Sequence, residues 1–391
     1  MGKRRLRILL LVSGLDIGGA HGGAERFGLE LSRYLDSNVF DVSLCAFWRC
    51  GGKAESHWYK VLQDDGINVF FAAEWKGKFD LQEYIRGVRH IAKQCASAPM
   101  DIIHSHYQMG TVAALLLKIF GYSRTAMRTA HISLEWGEGI TARTLRLVFQ
   151  NWLYPLLLDA EVGVSQGVVQ QLSGHIATRL WRKHPYLIHN AIRPDAFEYK
   201  EGKQTSTKLS KAETDLIVGS IGRMTRQKGY IYLIQAMPRI LSEVPNVRFV
   251  FIGKGELLND LRQYTVKMGV QDKVQFLGQC EEVLPLLKKM DLFVLPSLWE
   301  GLPTVVLESM ACGVPVVATD IPGTRELIQS RITGWLVPPG NSRALGEAIL
   351  EALKAPSLRL EMAKRAREAA KDFLISAVAR KYEALYQSIS G

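Results

Sequence analysis

A chain of 391 residues, 47% of them hydrophobic, is too long for one ordinary core and suits two domains of roughly 180 residues each. The net charge of +11 is spread evenly, with 23 basic and 17 acidic side chains in residues 1–195 and 26 and 21 in residues 196–391. No basic block or recognition motif stands out, which disfavours a nucleic-acid-binding protein, and no run approaches the ~20 apolar residues of a membrane-spanning helix.

The N-terminus joins a basic cluster, residues 3–7, to the apolar residues 8–12, and so superficially resembles a signal peptide. The apolar run is too short and breaks at once into SGLDIGG, so we interpret it as a buried strand and expect a cytoplasmic protein. The five cysteines show no C-x-x-C spacing and indicate reduced thiols, not disulfides or a metal site. No D-x-D pattern occurs, which lowers the expectation of a divalent-ion-dependent nucleotide clamp.

Strand-like apolar runs alternate with helix-length segments, and this alternation predicts two doubly wound parallel sheets in an α/β fold. The first series is Ile8–Ser13, Asp41–Phe47, Asp101–Ser105, Ala126–His131, Ala160–Val164 and Tyr186–His189. The second is Leu216–Ile221, Arg248–Ile252, Val274–Leu277, Leu292–Pro296, Val314–Thr319 and Gly334–Val337. Between the two series, residues 200–213 are polar and aperiodic, which indicates a surface excursion near a domain boundary. Residues 342–389 have helical spacing.

The glycines Gly18, Gly19, Gly22 and Gly23 follow the first strand and precede a helix predicted to start near Ala24. Glycines let backbone N–H groups approach a phosphate or sugar closely at a helix N-terminus. Their order does not fit G-x-G-x-x-G, so a dinucleotide site is not expected. A plain turn is the alternative interpretation.

Three histidines, His104, His106 and His131, lie at or just past predicted strand ends. A histidine in such a place is more often a hydrogen-bonded structural residue than a catalytic one. Other polar residues expected on the same rim, where they could touch an acceptor, are Asp16, Glu135 and Glu138.

Two stretches of the sequence could form a surface that contacts a membrane. Residues 145–158 alternate aromatic and aliphatic side chains, for which a core helix is the favoured interpretation. Residues 179–184 place Trp181 among Arg179, Arg182 and Lys183. A basic, aromatic segment can lie on an anionic membrane or can pack its aromatic ring in the core, and both interpretations stay open for this second stretch.

Arg223 and Lys228 flank the loop after the strand predicted at 216–221. A fixed guanidinium and an ammonium suit a leaving group whose negative charge grows as a bond breaks. Without neighbouring motifs, two solvated loop cations would be the simpler interpretation.

The most informative stretch is 291–320, which predicts a buried strand, a loop with Glu300 and Gly301, a helix from Pro303 to Cys312 and a second buried strand. Glu300 would lie at the carboxyl end of its strand, where open α/β sheets bind ligands. Glu308 follows eight residues later on the helix. Either glutamate alone would pass for a solvated side chain, but the pair in this setting indicates a site.

These residues resemble the E-x7-E signature of retaining glycosyltransferases with the GT-B fold, and family 4 of those enzymes most. The resemblance extends over nearly all of the chain, through GGAER at 22–26, GRMTRQKG at 222–229, IGKGEL at 252–257 and FLG at 276–278. It implies two Rossmann-like domains facing a central cleft. The expected bounds are 1–195 for an acceptor-side domain, 196–372 for a nucleotide-sugar-donor domain, and 373–391 for a C-terminal helix that crosses back to the first domain.

The resemblance also implies a role for each candidate. His131 takes the position of the family's active-site histidine near the donor sugar, and the loop with Gly19, Gly22 and Gly23 faces the donor phosphates and the acceptor. Arg223 and Lys228 match the basic pair on the donor diphosphate. Glu308 would hold the nucleotide ribose. The sugar hydroxyls would meet Glu300 and the backbone of Gly301, Leu302, Pro303 and Thr304.

The sequence therefore predicts a retaining, metal-independent hexosyltransferase that needs no cofactor. It would use a nucleotide-diphosphate sugar as donor and a sugar or lipid-linked saccharide as acceptor, in the synthesis of an envelope polysaccharide, lipopolysaccharide or glycolipid. An anionic membrane surface is a candidate partner at the inner membrane face, and nucleic acid is not. The alternatives are a sugar-nucleotide epimerase of the same fold and a non-catalytic sugar-nucleotide-binding protein.

Overall fold

The structure, a computed structural model, describes residues 4–16, 22–131, 144–198, 215–280 and 282–390. Contacts between residues divide the chain into two compact units, Met1–Asn190 with Ile375–Gly391, and Ala191–Leu374. The sequence places these divisions after residues 195 and 372. The polar stretch at 200–213 lies outside the described residues.

The first unit is built on a seven-stranded sheet. Its strands are β1 (Leu6–Val12), β2 (Phe40–Arg49), β3 (Asn68–Glu74), β4 (Met100–Ser105), β5 (Ser123–Ala130), β6 (Ala160–Gly163) and β7 (Tyr186–Leu187). All neighbouring strands are parallel, in the order β3-β2-β1-β4-β5-β6-β7. Residues Ile8 to Val12 are fully buried, as expected for a strand covered on both faces. The sequence did not predict β3, an edge strand that is mostly half-exposed.

Helices connect these strands. They are α1 (Gly23–Tyr34), α2 (Lys53–Asp64), α3 (Leu81–Ala96), α4 (Gln108–Ile119), a π-helix (Arg146–Leu153) that runs into α5 (Tyr154–Leu157), α6 (Gln166–Ser173) and α7 (Ile176–Leu180). Side-chain caps fix two of the starts, because Asp80 accepts from the N–H groups of Gln82 and Glu83, and Ser165 accepts from that of Val168. The C-terminal helix (Ile375–Ile389) belongs to this unit and packs on α1.

The second unit contains a six-stranded parallel sheet. Its strands are β8 (Leu216–Ile221), β9 (Val247–Ile252), β10 (Val274–Gly278), β11 (Leu292–Leu295), β12 (Val316–Thr319) and β13 (Trp335–Val337), in the order β10-β9-β8-β11-β12-β13. All six were predicted, because each is a short, largely apolar run bounded by polar or turn residues, and most are buried; β10 is half-exposed. The prediction of two doubly wound parallel sheets is confirmed.

The helices of the second unit are α8 (Asp195–Glu198), α9 (Tyr230–Glu243), α10 (Leu258–Lys267), α11 (Leu284–Leu287), α12 (Thr304–Ala311), α13 (Pro322–Arg325), α14 (Ser342–Lys354) and α15 (Pro356–Ala369). A 3₁₀ turn (Arg226–Lys228) precedes α9. All five cysteines are free thiols. Within the described ranges, no helix has both the length and the apolar character needed to cross a bilayer.

Strand order reverses at one point in each sheet. In the first sheet the reversal falls between β1 and β4, and in the second it falls between β8 and β11. Loops at the carboxyl ends of such strands diverge to opposite faces of the sheet and leave a crevice for ligands. The described candidates for the donor and acceptor site follow one of these four strands or a neighbour of one, except His104, which lies within β4.

Candidate active site

The loops after β8 and β11 meet through a buried ion pair. Lys228 Nζ lies 2.6 Å from Glu300 Oε1, and the two side chains are only 14% and 8% exposed. The same carboxylate accepts hydrogen bonds from Ser297 Oγ at 2.7 Å and from Gln227 Nε2 at 3.3 Å. Three donors on two oxygens hold the carboxylate in one orientation. The structure therefore brings together the two charged residues that the sequence places 72 positions apart.

Backbone contacts join the same two loops. Leu298 N–H donates to Gln227 O at 2.7 Å, and Gln227 Nε2 donates to Trp299 O at 2.9 Å. Gly229 sits between the 3₁₀ turn and α9 in the left-handed region, with φ of +61°. A Cβ atom there would fall 2.1 Å from Pro296 O, so glycine is what allows the Lys228 turn to approach the Glu300 loop.

We expect Gly229→Ala to lower the free energy of unfolding by at least ~2 kcal/mol, since it combines left-handed backbone strain with a collision against backbone. Gly269→Ala is the matched control, because Gly269 has φ of +68° and open space around its Cβ position. Urea unfolding of both variants isolates the contact with Pro296. Equal destabilisation would show that the close approach of the two loops contributes nothing.

The remaining donor-side candidates lie on the same two loops and on α12. Arg223 is exposed on the same loop as Lys228. Glu308 is half-buried on α12. Burial of the Cys312 thiol raises its pKa to about 12, and the negative charge of Glu308 contributes to this shift. Gly301, Leu302 and Pro303 are buried at the start of α12.

The helix α12 spans Thr304–Ala311, with Pro303 as its N-cap, so it begins one residue later and ends one residue earlier than the sequence predicted. Its first turn directs backbone N–H groups out of its N-terminal end. The helix α13 approaches this start closely, because a Cβ on Gly323 would fall 2.1 Å from Gly301 O. The backbone at Gly301 is therefore packed against α13.

In the first unit, the loop after β1 leads into α1 through Gly22. The Glu25 carboxylate accepts from Gly22 N–H at 2.9 Å and from Ser13 Oγ at 2.5 Å, which ties the helix start to the end of the strand. Gly22 and Gly23 are exposed and Asp16 is half-buried. Four of the other candidates, Gly18, Gly19, Glu135 and Glu138, lie outside the described residues.

The three histidines form one stack beside this loop. His106 Nδ1 lies 3.2 Å from His131 Nε2, so one of these two nitrogens carries the shared proton. His104 bonds to the hydroxyls of Tyr386 at 2.7 Å and Thr129 at 2.8 Å. The Phe27 ring packs against both His106 and His131.

Burial keeps this stack neutral. It lowers the pKa of His104 to about 3, and that of His131 to about 4 against an opposing effect of the Glu25 carboxylate. Burial, together with the other two histidines, also lowers the pKa of His106 well below its ordinary value. At neutral pH His131 can therefore offer a hydrogen bond but not a positive charge.

Several residues that contact the candidates had no sequence signal of their own. Gln227 and Ser297 stand next to the predicted residues and could have been proposed as their neighbours. Thr129 and Tyr386 could not, because Tyr386 bonds to His104 across 282 positions of sequence. Tyr382, which bonds to Thr129 at 2.9 Å, comes from the same C-terminal helix.

Two family models match the chain and together span most of it. The family described as "Glycosyltransferase Family 4" matches residues 21–196, and the one described as "Glycosyl transferases group 1" matches residues 203–370. The first match contains Gly22, Gly23 and the three histidines. The second contains Arg223, Lys228, Glu300 and Glu308.

Two relatives are similar over most of their length. UDP-Gal:alpha-D-GlcNAc-diphosphoundecaprenol alpha-1,3-galactosyltransferase of Escherichia coli is 25% identical over 334 residues, which make up 81% of this chain and 80% of that protein. N-acetyl-alpha-D-glucosaminyl L-malate synthase of Bacillus anthracis is 26% identical over 74% of this chain and 75% of its own.

Among solved structures, that of Anabaena HepE in complex with UDP and glucose matches with a TM-score of 0.76 at 19% sequence identity. The match covers 98% of this chain and 100% of that one. A likeness at this level of identity shows a shared fold.

Proposed function

The chain belongs to the family 4 glycosyltransferases, with the GT-B fold, and we propose that it is a retaining enzyme that uses a nucleotide-diphosphate sugar. The sugar would pass to a hydroxyl acceptor in the synthesis of an envelope polysaccharide, lipopolysaccharide or glycolipid. The observation that carries the proposal is the buried Lys228–Glu300 pair at the carboxyl ends of β8 and β11. The donor proposal also draws on the UDP-Gal in the name of the Escherichia coli relative and on the UDP in the HepE complex.

When the donor binds, Lys228 and Glu300 would separate, and each would contact a different part of the donor. Lys228 Nζ, with Arg223, would turn to the diphosphate, whose negative charge grows as the glycosidic bond breaks. Glu300 would then accept hydrogen bonds from the sugar hydroxyls, together with the backbone of residues 301–304. Its bonds from Ser297 and Gln227 do not depend on Lys228, so the carboxylate keeps its orientation when the lysine moves.

We propose a front-face transfer for the chemical step. The bond between the anomeric carbon and the diphosphate oxygen breaks, the acceptor oxygen attacks from the same face, and the departing diphosphate takes the acceptor's proton. Such a step requires positioning and charge stabilisation but no protein nucleophile. We propose that His131 acts as a neutral hydrogen-bonding group, which would help without repelling a developing positive charge.

For Glu308 we propose a role in binding the nucleotide ribose. Glu308→Ala should weaken donor binding about 10- to 100-fold, the range for losing a hydrogen bond to a charged group, while the turnover number at saturating donor changes little. Donor affinity and turnover are to be measured separately, with Glu361→Ala on the exposed face of α15 as the control. A fall in turnover with unchanged affinity would contradict the assignment.

Metal independence is proposed from the missing D-x-D pattern and from Lys228, which can supply the positive charge. Thermal stabilisation by UDP-, GDP- and ADP-sugars first identifies the donor, and transfer is then assayed in excess chelator. We expect activity to persist. Activity that is lost in chelator and restored by magnesium or manganese would refute this part of the proposal.

The same assay separates the alternatives. An epimerase converts the donor without any acceptor, and a binding protein is stabilised by donor but turns nothing over. Product of inverted anomeric configuration would overturn the retaining mechanism alone.

For the acceptor we propose a lipid-linked or envelope saccharide presented at the inner face of a membrane, to which the protein would attach peripherally.

A further inference from the structure

The first unit carries an exposed apolar face made of two chain segments. On the π-helix and α5 it comprises Leu147, Val148, Trp152 and Leu156, which are 37% to 52% exposed. On α7 and the turn after it, Leu180 and Trp181 are 64% and 53% exposed. The rings of Trp152 and Trp181 meet edge to face, with centroids 6.5 Å apart, so the two segments form one surface. We call these six residues the apolar face.

The π-helix explains why these side chains align. Its hydrogen bonds span five residues, so positions four and five apart lie above one another. Val148 and Trp152 in the π-helix and Leu156 in α5 are four residues apart, a spacing that keeps side chains on one face in both kinds of helix. Gln150 and Tyr154, on the other side, are buried. The prediction that residues 145–158 form a core helix is therefore wrong for half of the helix surface.

A rigid base holds the apolar face in place. The Tyr154 ring is covered by the Arg128 guanidinium at 4.4 Å, and Arg128 Nε donates to Glu161 Oε1 at 2.8 Å in a buried ion pair. Lys183 Nζ donates to Leu158 O at 2.9 Å and so ties the turn after α7 to the end of α5. The exposed leucines and tryptophans are thus presented by ordered structure.

The two chain segments that carry this face contain charges of one sign only. Residues 144–158 and 174–186 contain four Arg or Lys and no Asp or Glu. Arg179 and Arg182 are exposed beside Trp181. A second copy of the same face would repel these cations, which argues against a symmetric dimer here. Tryptophan, aliphatic side chains and unopposed cations together match the boundary between the headgroups and acyl chains of an anionic bilayer.

We propose that the apolar face docks on an anionic lipid bilayer, with Trp152, Trp181 and the leucines entering the interface and Arg179 and Arg182 among the headgroups. Docking would place a lipid-linked acceptor within reach of the first unit. This docking rests on the proposed function only in that it supplies the surface for peripheral membrane attachment. It does not depend on sugar transfer, since binding to vesicles needs neither donor nor acceptor.

Cosedimentation tests this with vesicles of phosphatidylcholine alone and of phosphatidylcholine mixed with phosphatidylglycerol, at low and high salt. Arg179→Gln with Arg182→Gln should weaken binding to the anionic vesicles about 30-fold and remove most of its salt dependence. Trp152→Gln with Trp181→Gln should weaken it about tenfold or more. Lys183 is left unchanged because it holds the turn. The matched control, Leu360→Gln with Lys364→Gln, removes an exposed leucine and cation from α15 and should bind as the unaltered protein does.

Binding that is equal on neutral and anionic vesicles, or that falls no more in the face variants than in the control, would overturn the proposal. Absence of binding to either vesicle would also overturn it and would leave the face to an acidic protein partner. Thermal unfolding and stabilisation by the donor should be unchanged in all variants. Lost donor stabilisation with intact vesicle binding counts against the proposed function and not against the docking face.

Discussion

Replacing Lys228 with alanine is expected to lower kcat about 100-fold at saturating donor, the cost of removing one preorganised group that stabilises transition-state charge. Donor affinity should fall much less, because the charge on the diphosphate is largest as the glycosidic bond breaks. Glu300 would keep its bonds from Ser297 and Gln227, so the variant removes a charge without releasing the loop.

Arg226→Ala is the control for that experiment. Arg226 is an exposed cation in the same 3₁₀ turn, two residues from Lys228, and its loss should leave kcat nearly unchanged. Lys228→Arg tests geometry, since it restores charge in a different shape. An unaltered kcat in Lys228→Ala, with a normal unfolding transition and donor saturating, would show that Lys228 does not act on the leaving group.

Acidification is expected to destabilise the protein steeply below the ordinary histidine pKa of 6.5. The folded-state pKa is about 3 for His104 and about 4 for His131, so the unfolded chain binds protons at a pH where the folded chain does not. The contribution of these histidines to the free energy of unfolding is therefore fully present above pH 6.5 and is lost as the pH drops toward 4. The loss by that point should be on the order of 3 kcal/mol or more, because each unit of pKa difference corresponds to about 1.4 kcal/mol.

Urea unfolding measured across this pH range gives the free energy of unfolding as a function of pH, and the slope of that function gives the number of protons taken up on unfolding. His104→Gln should lower stability at neutral pH by disturbing the bonds to Tyr386 and Thr129, yet it should reduce the uptake by about one proton. His57→Gln changes an exposed histidine on α2 and should leave the slope as it is. Equal slopes in all three proteins would mean that the buried stack does not govern acid stability.

Sequence patterns predicted the second unit well, because its strands are continuous apolar runs and Glu300 and Lys228 stand in motifs tied to those strands. The same reasoning missed β3, whose side chains are mostly half-exposed, although Val69 to Ala73 form an apolar run of strand length. It also misjudged residues 145–158, since apolar composition alone does not show which side of a helix faces water. The partners of His104 depend on the C-terminal helix, and no local pattern reveals a contact across 282 positions.

The bonds from Tyr382 and Tyr386 to the first sheet have a consequence for synthesis of the chain. While the ribosome is still making the second unit, the polar atoms of His104 and Thr129 have no tyrosine hydroxyls to meet them. The N-terminal half is made first but lacks these two bonding partners until residues 375–389 have been made. A nascent chain arrested before residue 375 would have all seven strands of the first sheet but would lack the helix that packs on α1, and chaperones would encounter the first unit in that state.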